Sequence, residues 1–332
     1  MVFVWIHAKQ DEWVHSLLIN YSLRRFVVKR HERAGGYERG DWRRKSSPMK
    51  ASQNPYREIK WIPTGFQKLD KILGGGIPHR KITEISGVFS VGKSTLALQI
   101  VAQAQALGKE CLWCDSEFSF SENYATSLGV NCNELDLFAG RFAEENLDYL
   151  EEWADKHKNA LLVLDSIGGL LPRAEAEKNA DGKVIGGQAK LIATFCRKIV
   201  PILAINNNAL IVCNHQFVDL MSGKLKTSGG MKLEYAKSIW LMLRAANKRI
   251  MKGEQQVGLI IDAEIRKNKM VPTQKQKAEL TMIFGEGFSA EADLLQELLD
   301  SGEVTKVGNT YWRGKVKLGI GLAKAREALK TA

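Results

Sequence analysis

The chain has 332 residues, of which 45% are hydrophobic and 26% charged, and carries a net charge of +11. That length gives room for one large domain and a smaller companion, in the composition range of globular proteins. No apolar run approaches the ~18 residues that a membrane-crossing helix needs, and Asp11, Glu12 and His15 interrupt any secretory-type apolar core, so the expected compartment is the cytoplasm.

Residues 1–48 differ from the rest, with 10 Lys and Arg against 5 Asp and Glu and three of the eight Trp. Trp13–Val28 could form a short amphipathic helix, whereas Arg33–Ser47 has too few apolar residues to pack. One reading makes Met49 the start of the folded chain and 1–48 an extension. The expected organisation is therefore 1–48, a core over 49–287 ending near Gly285-Glu286-Gly287, and a small basic domain over 288–332.

Lys81–Ser86 alternates like a strand and leads into Gly87-Val88-Phe89-Ser90-Val91-Gly92-Lys93-Ser94, a complete G-x-x-x-x-G-K-[ST] phosphate loop. Its glycines let successive N–H groups turn toward phosphate oxygens, Lys93 reaches the β- and γ-phosphates, and the Ser94 hydroxyl suits Mg²⁺. Ser94–Leu107, closed by Gly108, reads as the following helix, so phosphate would sit at a helix N-terminus, with Thr95 next to it.

Glu110–Asp115, Ala160–Asp165 and Ala209–His215 are nearly continuous apolar runs, which implies strands of a parallel sheet covered by helices on both faces. Cys111-Leu-Trp-Cys114 has C-x-x-C spacing, but on a strand its thiols point to opposite faces, which predicts buried, reduced cysteines rather than a zinc or redox site. Asp165 ends its strand where a carboxylate can hold Mg²⁺ beside the phosphate loop. Beyond the second strand stand two carboxylates, Asp115 and Glu117, either of which could activate water; spacing does not choose between them. Ile239–Leu243, Val257–Ile265 and Ala278–Phe284 extend the sheet without intervening helices, so some of them should pair antiparallel.

The phosphate loop, Asp115-Ser-Glu117, Leu162-Val-Leu-Asp165-Ser166, Thr227-Ser-Gly229-Gly230 and Lys267-Asn-Lys269 together resemble the bacterial and phage RecA-type recombinases. So do Ile62-Pro-Thr-Gly65, Leu73-Gly-Gly-Gly-Ile-Pro78, Phe284-Gly-Glu-Gly287 and the end of the chain from Leu298 through Tyr311-Trp-Arg-Gly314 to Gly319-Ile-Gly321. The resemblance implies an α/β fold: a RecA-like P-loop NTPase core with a mostly parallel sheet, plus a small α/β C-terminal domain. It implies ATP and Mg²⁺ as cofactors, Glu117 as general base, Tyr124 packed on adenine, and Lys267 and Lys269 reaching a neighbouring subunit's phosphates. Ser121 stands where an acidic residue often precedes that tyrosine. His215 occupies the family's γ-phosphate sensor position, with Gln216 as the alternative register. Two segments resemble DNA-binding loops: Arg173 to Gly187, with Lys178 and Lys183, and Phe217 to Gly230, with Met221, Lys224, Lys226, Gly229 and Gly230. The implied partners are single-stranded DNA, a homologous duplex and further copies of the chain in a helical filament, with Trp13–Val28 the one candidate for a docking helix in 1–48. A RecA-fold ring helicase or branch-migration ATPase is the alternative; the C-terminal match and Lys267-Asn-Lys269 favour the recombinase.

Overall fold

A computed structural model describes residues 50, 52, 58–177, 186–218, 225–272 and 276–330; Trp13–Val28 and the rest of 1–48 lie outside them. Tyr56–Ala332 form one compact unit. In chain order its elements are β1 (Trp61–Ile62), α1 (Gln67–Leu73), β2 (Ile77–Pro78), β3 (Ile82–Gly87), α2 (Lys93–Ala106), β4 (Cys111–Asp115), α3 (Glu122–Ser127), β5 (Leu135–Phe138), α4 (Ala143–Lys156) and β6 (Leu161–Asp165). There follow α5 (Arg173–Ala176), α6 (Gly187–Asn206), β7 (Ala209–Val218), β8 (Leu225–Thr227), α7 (Gly230–Ala236), β9 (Ile239–Lys252), β10 (Gln255–Asn268), β11 (Lys277–Ile283) and β12 (Gly287–Phe288). The chain ends with α8 (Ala290–Asp300), β13 (Val304–Val307), β14 (Thr310–Arg313), β15 (Val316–Ile320) and α9 (Leu322–Lys330).

One large sheet runs β12-β11-β10-β9-β3-β7-β6-β4-β5. From β9 to β5 every neighbour is parallel; β10, β11 and β12 then alternate antiparallel. The apolar runs are continuous because both faces are covered. Along β6, Leu161 and Val163 enter one core with Leu96, Ile100 and Trp113, while Leu162 and Leu164 enter the other with Leu150, Phe195 and Ile199. Each such side chain, withdrawn wholly from water, contributes about 1.5–3 kcal/mol. Cys111 and Cys114 divide between the same two cores, and burial pushes the Cys111 thiol up to about 12 and Cys114 higher still. Both are free thiols.

β9 and β10 run well past the apolar segments that announce them. β9 pairs with β3 from Ile239 to Leu243, then continues as a ribbon with β10 to the turn at Gly253. The ribbon half of β9 is mostly exposed, so it has no need of an apolar pattern. β5 is four residues long with two of them exposed, which is why no run marks it.

The last part of the chain has its own small core of Leu295, Leu298, Val304, Tyr311 and Ala325 under a three-stranded antiparallel sheet. Phe288 still pairs with β11 and packs in the main core. Ser289 caps α8 by accepting a hydrogen bond from the backbone N–H of Ala292.

Candidate active site

The C-terminal ends of β3, β4, β6 and β7 open into a cleft of about 400 Å³, lined by Phe89, Ser90, Gly92, Lys93, Ser94, Thr95, Glu117, Tyr124, Asp165, His215 and Met282–Gly285. Ligands of open α/β sheets bind at such strand ends. Gly87 is required by close approach: a Cβ there would lie 2.7 Å from the Leu243 carbonyl on β9. Gly92 has φ 90° and caps α2, a conformation that other residues rarely adopt. Val91 is buried in the core and Val88 is half exposed outside the cleft lining, so these two positions can offer phosphate only their backbone.

Lys93 is buried, and its ammonium donates to the carbonyls of Val88 at 2.9 Å and Gly87 at 3.3 Å. Burial lowers its pKa, opposed by the nearby Cys213, Asp165 and Glu117. Asp165, also buried, is pushed up to about 6 by loss of solvent; the Ser94 hydroxyl, hydrogen-bonded to it, works in the other direction. A hydroxyl and a carboxylate side by side are hard oxygen donors of the kind Mg²⁺ takes. Among the described residues no group of three or more His, Cys, Asp or Glu could hold a metal by itself. The pair therefore fits a cation that is completed by phosphate and water oxygens.

The two carboxylates after β4 have different places. Asp115 is buried and accepts from the backbone N–H groups of Glu117 (3.2 Å) and Phe120 (2.8 Å), so it caps the turn. Glu117 faces the cleft, where it accepts the Ser166 hydroxyl and lies 2.9 Å from His215 Nε2. Burial works to raise its pKa, but hydrogen bonds from Ser166 and His215 and the charges of His215 and Lys93 outweigh it, holding the carboxyl below its ordinary value. Such a group is ionised at neutral pH and can accept a proton.

Strand alternation gives His215 and Gln216 opposite surroundings. His215 lines the cleft, whereas the Gln216 amide donates to Ser86 Oγ, which also takes the Trp240 indole. Tyr124 lines the cleft, its hydroxyl 2.9 Å from Thr95 Oγ1, and Ser121 caps α3 by accepting from the Tyr124 N–H. Sequence reasoning missed Met282–Gly285, at the end of β11 and in the turn that follows, as cleft residues; the half-exposed Phe284 reads there as the end of a strand and the start of a boundary motif. Ser166 was missed as a partner of Glu117.

Lys267 and Lys269 do not line the cleft. Their ammonium groups donate to the carbonyls of Glu234 and Tyr235 (2.7 Å for Lys269) at the C-terminal end of α7. Glu234 is in turn bound by the fully buried Lys237, which also holds buried Glu84 at 3.0 Å.

Of the residues expected to meet DNA, Lys178, Lys183, Met221 and Lys224 lie outside the described residues. Arg173 opens α5, with its guanidinium over the Phe142 ring at 4.3 Å and paired with Glu145. Phe217 is half exposed, yet it is not in a loop: β7 continues through Val218, and Phe217 pairs across to Lys226 on β8. Gly229 and Gly230 have φ 101° and 72° and start α7.

A model of the RecA N-terminal domain matches residues 41–289. The chain is 36% identical over 290 residues to Protein RecA of Thermus thermophilus, covering 86% of this chain and 85% of that one. It is 34% identical to Protein RecA of Deinococcus radiodurans (84% and 78% covered) and 33% identical to that of Aquifex pyrophilus (85% and 81% covered). The chain belongs to the RecA family. It is accordingly a recombinase with DNA-dependent ATPase activity, acting in recombination and repair. DNA binding and self-association come with RecA membership, and among the described residues no helix is long and apolar enough to cross a membrane.

Proposed function

We propose that this chain binds ATP with Mg²⁺ in the β3–β4–β6–β7 cleft and assembles as a helical filament on single-stranded DNA. The filament pairs that strand with a homologous duplex and promotes exchange. The loop N–H groups and the α2 N-terminus receive the phosphates, with Lys93 on the β- and γ-phosphates. Ser94 and Asp165 hold Mg²⁺, which supplies charge neutralisation between the phosphates. Glu117 takes the proton from the attacking water, and His215, hydrogen-bonded to it, stands at the γ-phosphate side. Tyr124 and Phe284 flank the base. Arg173, Phe217 and Lys226 face DNA, holding its backbone with little regard to base sequence.

The observation that carries this reading is the placement of Lys267 and Lys269. They are held on the end of α7 rather than in their own subunit's cleft, which suits groups that act on a neighbour's γ-phosphate, as an arginine finger does in trans. Electron microscopy with single-stranded DNA and a slowly hydrolysed ATP analogue tests it. Helical filaments are expected; discrete closed rings would replace this reading with that of a translocating motor.

A further inference from the structure

The phosphate loop carries one large side chain that phosphate binding does not require. Phe89 is 77% exposed, so burial does not account for it. Among the described residues its ring neighbour is His215, with centroids 4.8 Å apart and planes tilted by 32°. His215 is also unusually held. Its Nε2 meets Glu117 Oε1 at 2.9 Å, while Nδ1 is buried without a hydrogen-bond partner among the described residues. A histidine that must present one nitrogen is ordinarily oriented by a hydrogen bond on the other. With no such bond on Nδ1, packing against its faces and edges sets the tilt of the imidazole about the Nε2 contact. That packing includes the tilted Phe89 ring and, on the Cδ2 edge, Gly168, where an added Cβ would lie 3.0 Å away.

Resting on the assignment of Glu117 and His215 as the hydrolytic pair, we propose that Phe89 is a positioning residue: its ring holds the His215 imidazole so that Nε2 meets Glu117. The neighbouring residues tie this to nucleotide. The carbonyl of Val88 accepts the Lys93 ammonium, and Ser90 turns at φ 57°, so the backbone that carries Phe89 is the backbone that receives phosphate. Phe89 thereby joins the filling of the loop to the geometry of the base.

The test uses the full chain with Phe89→Leu, Phe89→Tyr, His215→Gln and the Phe89→Leu/His215→Gln double variant. Phe89→Leu should lower kcat of DNA-stimulated hydrolysis about 5- to 10-fold, in line with the loss of one aromatic contact, with KM for ATP within about twofold. Phe89→Tyr, which keeps the ring face, should restore the rate. In the His215→Gln background Phe89→Leu should cost nothing further, because a group acting only through His215 has nothing left to act on. Independent losses that multiply, or a change mainly in KM, would overturn the proposal in favour of direct nucleotide or subunit contact by Phe89. A second readout avoids activity. In nucleotide-free protein with labelled histidine, the ring current of Phe89 should displace the His215 proton resonances, identified by their disappearance in His215→Gln. That displacement should vanish in Phe89→Leu; an unmoved resonance would sink the contact itself. If His215→Gln hydrolyses at the wild-type rate, the hydrolytic reading of His215 has failed and the catalytic role of Phe89 goes with it, while the resonance still decides whether Phe89 holds the ring.

Discussion

Lys93 and the Lys267–Lys269 pair are proposed to serve the same phosphate chain, yet they sit in opposite surroundings. Lys93 is buried inside the loop that it completes, with two carbonyls of that loop on its ammonium and desolvation lowering its pKa. Lys267 lies near the end of β10 and Lys269 just past it, on the carbonyls of α7, and they line no part of the cleft. On the proposed reading, the groups that hold nucleotide are assembled with Glu117 within one subunit, and the cations that speed turnover come from a second. Binding and hydrolysis should be separable by mutation.

The largest effect expected is on the distant pair. Lys267→Ala with Lys269→Ala should reduce DNA-stimulated hydrolysis by ~10³–10⁵, as loss of a trans-acting cation does, while calorimetry on dilute protein finds nucleotide affinity nearly unchanged. Mixing this variant with Glu117→Gln protein sharpens the contrast, because a mixed interface joins an intact Glu117 to intact lysines. Some activity should return; mixtures that co-assemble and stay inactive would put the lysines to other use.

Glu117→Gln alone should cut hydrolysis by ~10²–10⁴ with ATP and DNA binding retained, the usual contribution of a general base. Filaments should then outlast the wild-type ones in a dilution experiment. Normal turnover would break the assignment, and buried Asp115 would be a poor substitute because its oxygens already cap the turn.

On the near side, Lys93→Ala should weaken nucleotide binding by about 10²-fold or more, the cost of losing a charge-assisted contact in a desolvated site. Calorimetry reads it directly, and wild-type affinity would contradict the loop assignment.

The smallest effect is a pH dependence that only the near side should show. The Asp165 pKa is raised by burial to about 6, so below that pH a proton occupies the carboxylate that Mg²⁺ needs. The Mg²⁺ concentration for half-maximal nucleotide binding should rise about tenfold per pH unit as pH falls below 6 and be flat above 7. A profile flat down to pH 4.5 would mean that Asp165 does not meet the cation.

The near half of the site could be read from sequence because its parts are local: a spaced glycine loop, a strand ending in Asp165, an apolar run before Glu117. Spacing left Asp115 and Glu117 equal, and the resemblance chose Glu117 and favoured His215 over Gln216; the turn geometry and the phase of β7 add where those side chains lie. Both choices depend on which way one side chain points, and spacing leaves that open by two residues in the first pair and by one in the second. Phe284 and Ser166 stayed hidden for a different reason. They come from strand ends brought to the cleft by sheet order, β11 through β10 and β9, β6 through β7, and no local pattern marks such a meeting. The parallel half of the sheet was plain for its apolar strands, whereas the exposed β9–β10 ribbon and short β5 carried no burial pattern to read.

The cysteines have a practical consequence. Four of the five thiols are buried, and Cys132 alone is partly exposed, 3.5 Å from Thr126 on the helix that carries Tyr124. A maleimide dye mixed with the unaltered chain would find one reachable sulfur, against the helix that carries Tyr124. The molecule comes prepared for a single fluorescent reporter of nucleotide arrival, with no cysteine to remove and none to add.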